Sequence, residues 1–196
     1  MKESFQELLT INRGHFALES GLHGDVWFDL ENVFLRPALL QPFIDRLAGM
    51  LSKYDLSAVC GALVGGAFVG YAVANLLGID FFYTEREVSD TADGAFAVRY
   101  RLPKPIRHAV AGRRIGVMDD VINAGSAVTK TYHELRSYGA NPVVMACLLT
   151  VGGPSPKQLS AEYQPIESLE HLKSSLWHPN SCPLCESGVP LKDPYF

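Results

Sequence analysis

Several absences narrow the reading of this chain before any motif is considered. No uninterrupted apolar stretch approaches the roughly 18 residues that a bilayer span requires. The segment MKESFQELLTINRG lacks the apolar centre of a signal peptide, so the chain reads as cytoplasmic. Charge is not clustered: 17 Lys and Arg against 21 Asp and Glu leave a formal net charge of −4, with no block of like charges. That balance disfavours a nucleic-acid groove or a membrane-surface helix and leaves a small partner as the expectation. The four cysteines are too few and too scattered for a disulfide framework. Cys60 and Cys147 lie inside apolar runs and are expected as buried thiols, whereas Cys182 and Cys185 form an isolated CPLC. Internal repeats are missing, as are GxxxxGK followed by Ser or Thr and GxGxxG, so a nucleotide P-loop and a dinucleotide fold fail on spacing.

What is present is a chain of 196 residues, 47% hydrophobic, enough for one domain with a sizeable core. Phe5, Leu8, Leu9 and Ile11 have helical spacing across residues 3–11, and HFALES and DVWFDL come next as candidate strands. Pro37 opens a helix over 38–52. From there the pattern alternates: SAVCGAL as strand, FVGYAVANLLG as helix stopped by Gly78, IDFFYT and RRIGVM as strands, SAVTKTYHELRSYG as helix ending at Gly139, and PVVMACLLTV as a last buried strand. Continuous apolar strands separated by helices predict an α/β fold, a doubly wound, mainly parallel sheet covered on both faces. The domain is expected over 1–152, with 153–196, richer in Pro and Ser, as an irregular or partly helical extension.

In such sheets ligands sit outside the carboxyl ends of the strands. Asp119 and Asp120 fall there, at the end of the run RIGVM, and adjacent carboxylates cost free energy unless a cation, hydroxyl donors or solvent offset them. Asn123, Ala124, Gly125, Ser126 and Ala127 then form a loop of small residues leading into a helix. Converging backbone N–H groups and the helix N-terminus make this a phosphate cradle, with Asn123 and Ser126 able to add side-chain hydrogen bonds. Two carboxylates beside such a cradle suit a phosphorylated sugar, either accepting from ribose hydroxyls or meeting Mg²⁺.

VMDDVINAGSA resembles the 5-phosphoribosyl 1-diphosphate signature of the type I phosphoribosyltransferases, a hydrophobic strand followed by DDVxTxG and Ser or Thr. The chain is most similar to the orotate phosphoribosyltransferase family. GHFALESGLHGDVWFDLENVF resembles that family's N-terminal segment, GxFxLxSGxxSxxYxD, and CGALVGGAFVGYAVANLLG its diphosphate loop. FFYTEREVSDTADGAFAVRYRL resembles its mobile loop in the branch carrying an ER pair, and WHPNSCPLCESGVPL resembles tails of the same branch. The resemblance implies a type I phosphoribosyltransferase fold with a small N-terminal hood, and transfer of phosphoribose to orotate with release of pyrophosphate. It implies that Asp119 and Asp120 contact the ribose 2- and 3-hydroxyls, that Asn123 to Ala127 hold the 5-phosphate, that Val121 and Ile122 also belong to the substrate site, and that Val64, Gly65 and Gly66 turn under the diphosphate. It further implies that Arg86 reaches the diphosphate, that Mg²⁺ is the cofactor, and that the chain is a homodimer in which one subunit's mobile loop covers the other's site. No covalent nucleophile is expected.

Departures from the family pattern bear on the acceptor. No lysine occurs between Lys53 and Lys104, leaving Arg86, Arg99 and Arg101 as local cations; Asn123 replaces the usual threonine; Glu19 stands where many relatives are basic; and CLLTVGG lacks the arginine expected near an orotate carboxylate. Arg13, Arg36 and backbone N–H groups around 20–28 remain as donors. A salvage enzyme for a neutral base and a catalytically inactive donor sensor therefore stay open beside the orotate reading. The CPLC supplies two of the four ligands a structural zinc site needs; His171 and His178 are near in sequence, but without a second CxxC a metal-free knuckle is expected.

Overall fold

The computed structural model describes residues 4–90, 96–152 and 164–193. The expected N-terminal helix shrinks to a single 3-10 turn, Phe5–Leu8, because strand pairing claims the residues from Thr10 onward. Strand β1 (Thr10–Ala17) takes Ile11 opposite Phe28 of β2 (His23–Asp29) in an antiparallel hairpin. The turn itself is tied down by Glu170, which accepts from Ser4 Oγ (2.7 Å) and Gln6 Nε2 (3.0 Å) and from the Phe5 backbone N–H. Phe5 is fully buried, edge-on to Phe43.

The chain then runs through a short helix α1 (Glu31–Phe34) and α2 (Pro37–Leu51) into the central sheet. That sheet contains β3 (Ala58–Ala62), β4 (Asp80–Asp90), β5 (Phe96–Arg101), β6 (Arg114–Met118), β7 (Val121–Ile122), β8 (Asn141–Val151) and β9 (Ile166–Leu172). All its pairings are parallel except the β4–β5 hairpin. Helix α3 (Gly65–Leu77) joins β3 to β4, and α4 (Ser126–Ser137) joins β7 to β8.

Alternation along the strands sends side chains to two cores. Val59, Met118, Val144, Ala146 and Leu148 pack with Phe43, Ile44, Leu47, Val69 and Val73 of α2 and α3. Cys60, Ile115, Val117, Met145 and Cys147 pack with Val128 and Leu135 of α4. Both faces are therefore covered, as continuous apolar strands require. Glycine ends α3 as expected, Gly78 sitting at φ +65° where a side chain would be strained.

The segment beyond 152 is more regular than its composition implies. Strand β9 pairs with β8 along Met145–Val151, so the sheet itself crosses the expected boundary at 152/153. Polar contacts fasten it: Glu167 binds Lys53 Nζ (2.7 Å) and the Tyr54 hydroxyl, pushing the tyrosine up to about 12 through burial and this carboxylate. A two-residue strand β10 (Leu176–Trp177) adds to β2, making a three-stranded hood of β1, β2 and β10. Alternation is weak in IESLEHL, whose residues are half-buried or exposed, which is why periodicity missed it.

Candidate active site

The two aspartates interrupt a strand without shifting its register. Met118 of β6 pairs with Ala146, and Val121 of β7 pairs with Leu149, so Asp119 and Asp120 lie between two segments of one edge. Their backbones stay bonded to β8, through Asp119 N to the Ala146 carbonyl (2.9 Å) and Leu148 N to the Asp120 carbonyl (3.0 Å). Their carboxylates each accept from the next backbone N–H, Asp119 from Asp120 (3.1 Å) and Asp120 from Val121 (2.8 Å). Burial raises both carboxyls above their ordinary range, and the charge of Asp120 raises Asp119 further. Such a pair is poised for a ligand that supplies hydroxyl donors or positive charge.

Glycine at 65 and 66 is dictated by the Asp120 carboxylate and by the backbone at Met118 and Asp119. A Cβ on Gly65 would collide with the Asp120 carboxylate, and one on Gly66 would stand 2.9 Å from the Asp119 Cα. The turn after β3, in which the Leu63–Val64 peptide bond is cis, thus interlocks with the turn after β6. On the other side, Gly125 at φ +79° precedes α4, whose N-terminus opens toward the same space. Among the described residues, Asn123 Oδ1 is the one buried side-chain oxygen or nitrogen without a hydrogen-bond partner. This unpaired acceptor belongs to the same loop that follows the two half-buried carboxylates.

These elements border a cavity of about 980 Å³ beneath the hood, lined by Val64, Gly65, Arg86 and residues 119–127. The Ile122 side chain is an exception in kind, since it is buried in the α4-side core. The opposite wall is apolar and aromatic, with Trp27, Phe34, Phe68 and Tyr71. Of the cations the sequence offers for an acidic ligand, Arg13, Arg36, Arg99 and Arg101 do not line the cavity. Arg101 is bound instead to the buried Glu134 of α4 (2.8 Å), which also accepts from Leu102 N (3.1 Å). Residues 91–95, the tip of the expected mobile loop, lie outside the described residues.

One cavity residue escaped sequence reasoning, and another has a larger part than its sequence position suggested. Tyr100 lies opposite Arg86 in the β4–β5 register, a position recoverable only once that hairpin register is known. Its hydroxyl donates to Glu19 (3.2 Å), and burial followed by Glu19 and Asp119 raises its pKa. Glu19, read from sequence as a departure, is the hub: it accepts from Arg86 Nε (2.8 Å) and Ser126 Oγ (3.2 Å), with Lys130 Nζ at 3.8 Å. A carboxylate thus occupies the reach of the phosphate-cradle serine and of the arginine expected to meet the diphosphate.

No nucleophile emerges from the cysteines. Cys60 and Cys147 are buried as expected, with thiols raised by burial, Cys147 to about 12. Cys182 and Cys185 gather with His15 and His23 in the hood, not with His171, whose Nδ1 meets Thr150 Oγ1 at 3.0 Å.

Comparison with known proteins identifies the family and the fold. The family model for the phosphoribosyl transferase domain matches residues 38–171. The chain is 30% identical to the orotate phosphoribosyltransferase of Thermotoga maritima, over 99% of this chain and 96% of that protein. It is 29% identical to that of Caldanaerobacter subterraneus subsp. tengcongensis, over 98% and 94%. Among solved structures, the orotate phosphoribosyltransferase of Aeropyrum pernix has a TM-score of 0.62 at 23% identity, covering 85% of this chain and 89% of that one. The APRTase of Giardia lamblia has a TM-score of 0.66 at 15% identity, covering 85% and 94%. The fold is therefore shared across acceptor types, while the full-length sequence likeness is to the orotate enzymes. With a family match over most of its length and near-complete coverage of those relatives, the chain belongs to the phosphoribosyl transferase family.

Proposed function

We propose that the protein transfers the phosphoribosyl group of 5-phosphoribosyl 1-diphosphate to orotate, forming orotidine 5'-phosphate and pyrophosphate. The observation that carries the donor assignment is the convergence of the Asp119–Asp120 pair, the 123–127 loop and the α4 N-terminus on one cavity. Full-length likeness to orotate phosphoribosyltransferases carries the acceptor. In this reading Asp119 and Asp120 accept from the ribose hydroxyls, residues 123–127 bind the 5-phosphate, and the Gly65–Gly66 turn lets backbone approach the diphosphate. Arg86 binds the leaving diphosphate through its guanidinium fork, as arginine suits bidentate phosphate contact. The half-buried acidic pair also fits Mg²⁺ or its bound water, which would supply positive charge to the diphosphate when present. Catalysis is then positioning of two reactants against an apolar wall, with charge placed where the diphosphate departs.

A homodimer belongs to the same proposal. Leu35, Val64, Phe68 and Tyr71 are large exposed apolar residues at the cavity margin, a surface suited to a second copy. Light scattering that returns a monomer at assay concentration with full activity refutes the shared site.

The aromatic wall and the commitment of Arg86 to Glu19 favour a neutral base as the second reading. Pyrophosphate release with the donor, Mg²⁺ and a panel of orotate, uracil, adenine, guanine and hypoxanthine decides between them. Turnover with orotate is expected; turnover with a purine alone assigns salvage, and silence on every base assigns a donor sensor. Calorimetry of Asp119→Asn/Asp120→Asn with donor and Mg²⁺ tests the site itself, and unchanged affinity refutes it.

A further inference from the structure

We propose that His15, His23, Cys182 and Cys185 bind one structural zinc ion that fastens the C-terminal tail to the hood. His15 is on β1, His23 opens β2, and the cysteines flank the start of a one-turn helix, Pro183–Glu186. One donor atom from each residue lies within 4.8 Å of all the others. His15 Nε2 stands 3.0 Å from His23 Nδ1, 3.3 Å from Cys182 Sγ and 3.7 Å from Cys185 Sγ, while Cys185 Sγ is 3.4 Å from His23 Nδ1. In a tetrahedron with Zn–N of about 2.05 Å and Zn–S of about 2.3 Å, nitrogen–nitrogen edges are about 3.3 Å and nitrogen–sulfur edges about 3.5 Å. All four measured separations fall near those edges.

Hydrogen bonding among the four groups does not account for the arrangement. His15 Nδ1 faces the Val189 carbonyl at 2.8 Å and donates to it, which leaves Nε2 with a single lone pair. An imidazole nitrogen and two thiols converge on that lone pair, and one acceptor satisfies one donor. A cation at the centre lets all four groups act as ligands at once, two of them as thiolates. The carbonyl of Val189 then plays the part that outer partners play for ligating histidines, fixing tautomer and ring orientation. Two imidazoles and two thiolates in tetrahedral disposition select zinc among the common divalent metals.

Residues 166–177 are fastened by the β9–β8 and β10–β2 pairings, and the stretch beyond them has little apolar anchoring of its own. From 164 to 193 the sole buried residue is Cys182. Backbone bonds from Lys192 to both Ala17 and His15 lay the tail along β1, but they bury little apolar surface. The site brackets the turn between β1 and β2, which carries Glu19 to the cavity, so it also holds that turn in place. The missing half of the ligand set is thus supplied by the hairpin, more than 150 positions away in sequence, and not by a second CxxC or by His171 and His178.

Metal analysis of the full-length protein, purified without chelator or affinity metal, is the test. One equivalent of zinc per chain is expected, and Co²⁺ exchanged into the same protein should give intense tetrahedral visible bands with a thiolate charge-transfer band. Cys182→Ser/Cys185→Ser should lose both metal and spectrum, whereas His171→Ala should keep both. Wild-type protein that carries no zinc and gives no tetrahedral Co²⁺ spectrum overturns the proposal, as does zinc retained by the double variant. A Cys182–Cys185 disulfide in protein isolated under anaerobic conditions overturns it as well.

Discussion

Replacing Glu19 by glutamine should tighten binding of the diphosphate donor. The Glu19 carboxylate is held between Arg86, Tyr100 and Ser126, with its side chain 12% exposed against 37% for Arg86. A 5-phosphate bonded to Ser126 Oγ would stand about 6 Å from this carboxylate. At that distance two unit charges repel by roughly 3 kcal/mol at an effective dielectric of 20 and by less than 1 kcal/mol in water. The cavity is open to solvent, so about 1–2 kcal/mol is the relevant range. Breaking the Arg86–Glu19 pair adds little, because a partly exposed pair is worth about 0.2–1 kcal/mol. Glutamine keeps the shape and the acceptor oxygen while removing the charge. The donor Kd should therefore fall by about 5- to 30-fold.

Calorimetry with donor and Mg²⁺ at several salt concentrations is the assay, with far-UV circular dichroism as the folding control. The gain should shrink as salt rises, since screening weakens the repulsion it removes. Unchanged or weaker donor binding by a folded Glu19→Gln protein refutes the reasoning. Glu19 would then hold Arg86 and Tyr100 in their working positions, and the replacement of a basic residue by an acid would be a feature of the donor site.

The remaining predictions concern the interlocked turns and the anchors. Asp119→Asn should raise the melting temperature at neutral pH while weakening donor binding. A carboxyl whose folded pKa lies above its unfolded value of 3.8 contributes less stability as pH rises through that interval, so the advantage of the variant should grow from acid to neutral pH in thermal melts. Gly65→Ala pushes a methyl into the Asp120 carboxylate and should lower kcat/KM on the order of 100-fold by displacing it, read from steady-state kinetics. Glu170→Gln should cost about 1–3 kcal/mol in urea melts, because it weakens the bonds from Ser4, Phe5 and Gln6. Burial opposes but these bonds prevail in holding Glu170 below 4.5, so its contribution is present above that pH and is lost as pH falls through the lower folded value.

Period and local chemistry made part of the molecule legible in its sequence. The inner strands and the three main helices are marked by apolar runs bounded by Pro37, Gly78 and Gly139, and the Asp119–Asp120 pair by its place at a strand end. The features that were not legible depend on pairing between distant segments. Ile11 fits a helix by spacing and a strand by partner, and the partner, Phe28, prevails. Strand β9 carries no strong alternation because polar anchors, Glu167 and Glu170, occupy it in place of apolar side chains. Tyr100 enters the cavity through hairpin register, and His15 and His23 meet the CPLC through the hood and tail folding together.

The same distinction explains why the stretches proposed to hold the donor are clearer in sequence than the rest of the cavity. The proposed donor half is built from two contiguous stretches, 64–66 and 119–127, which follow the adjacent strands β3 and β6. The rest of the cavity wall draws on the hood, on α1 and on α3, and the β1–β2 turn carries Glu19 from there to Arg86 and Ser126. If the tail fixes that turn through His15 and His23, chelation should alter donor affinity in the wild-type protein more than in Glu19→Gln. Removing the anchor matters to the donor only while the carboxylate it positions is charged. Equal effects of chelation on both proteins would separate the anchor from the site.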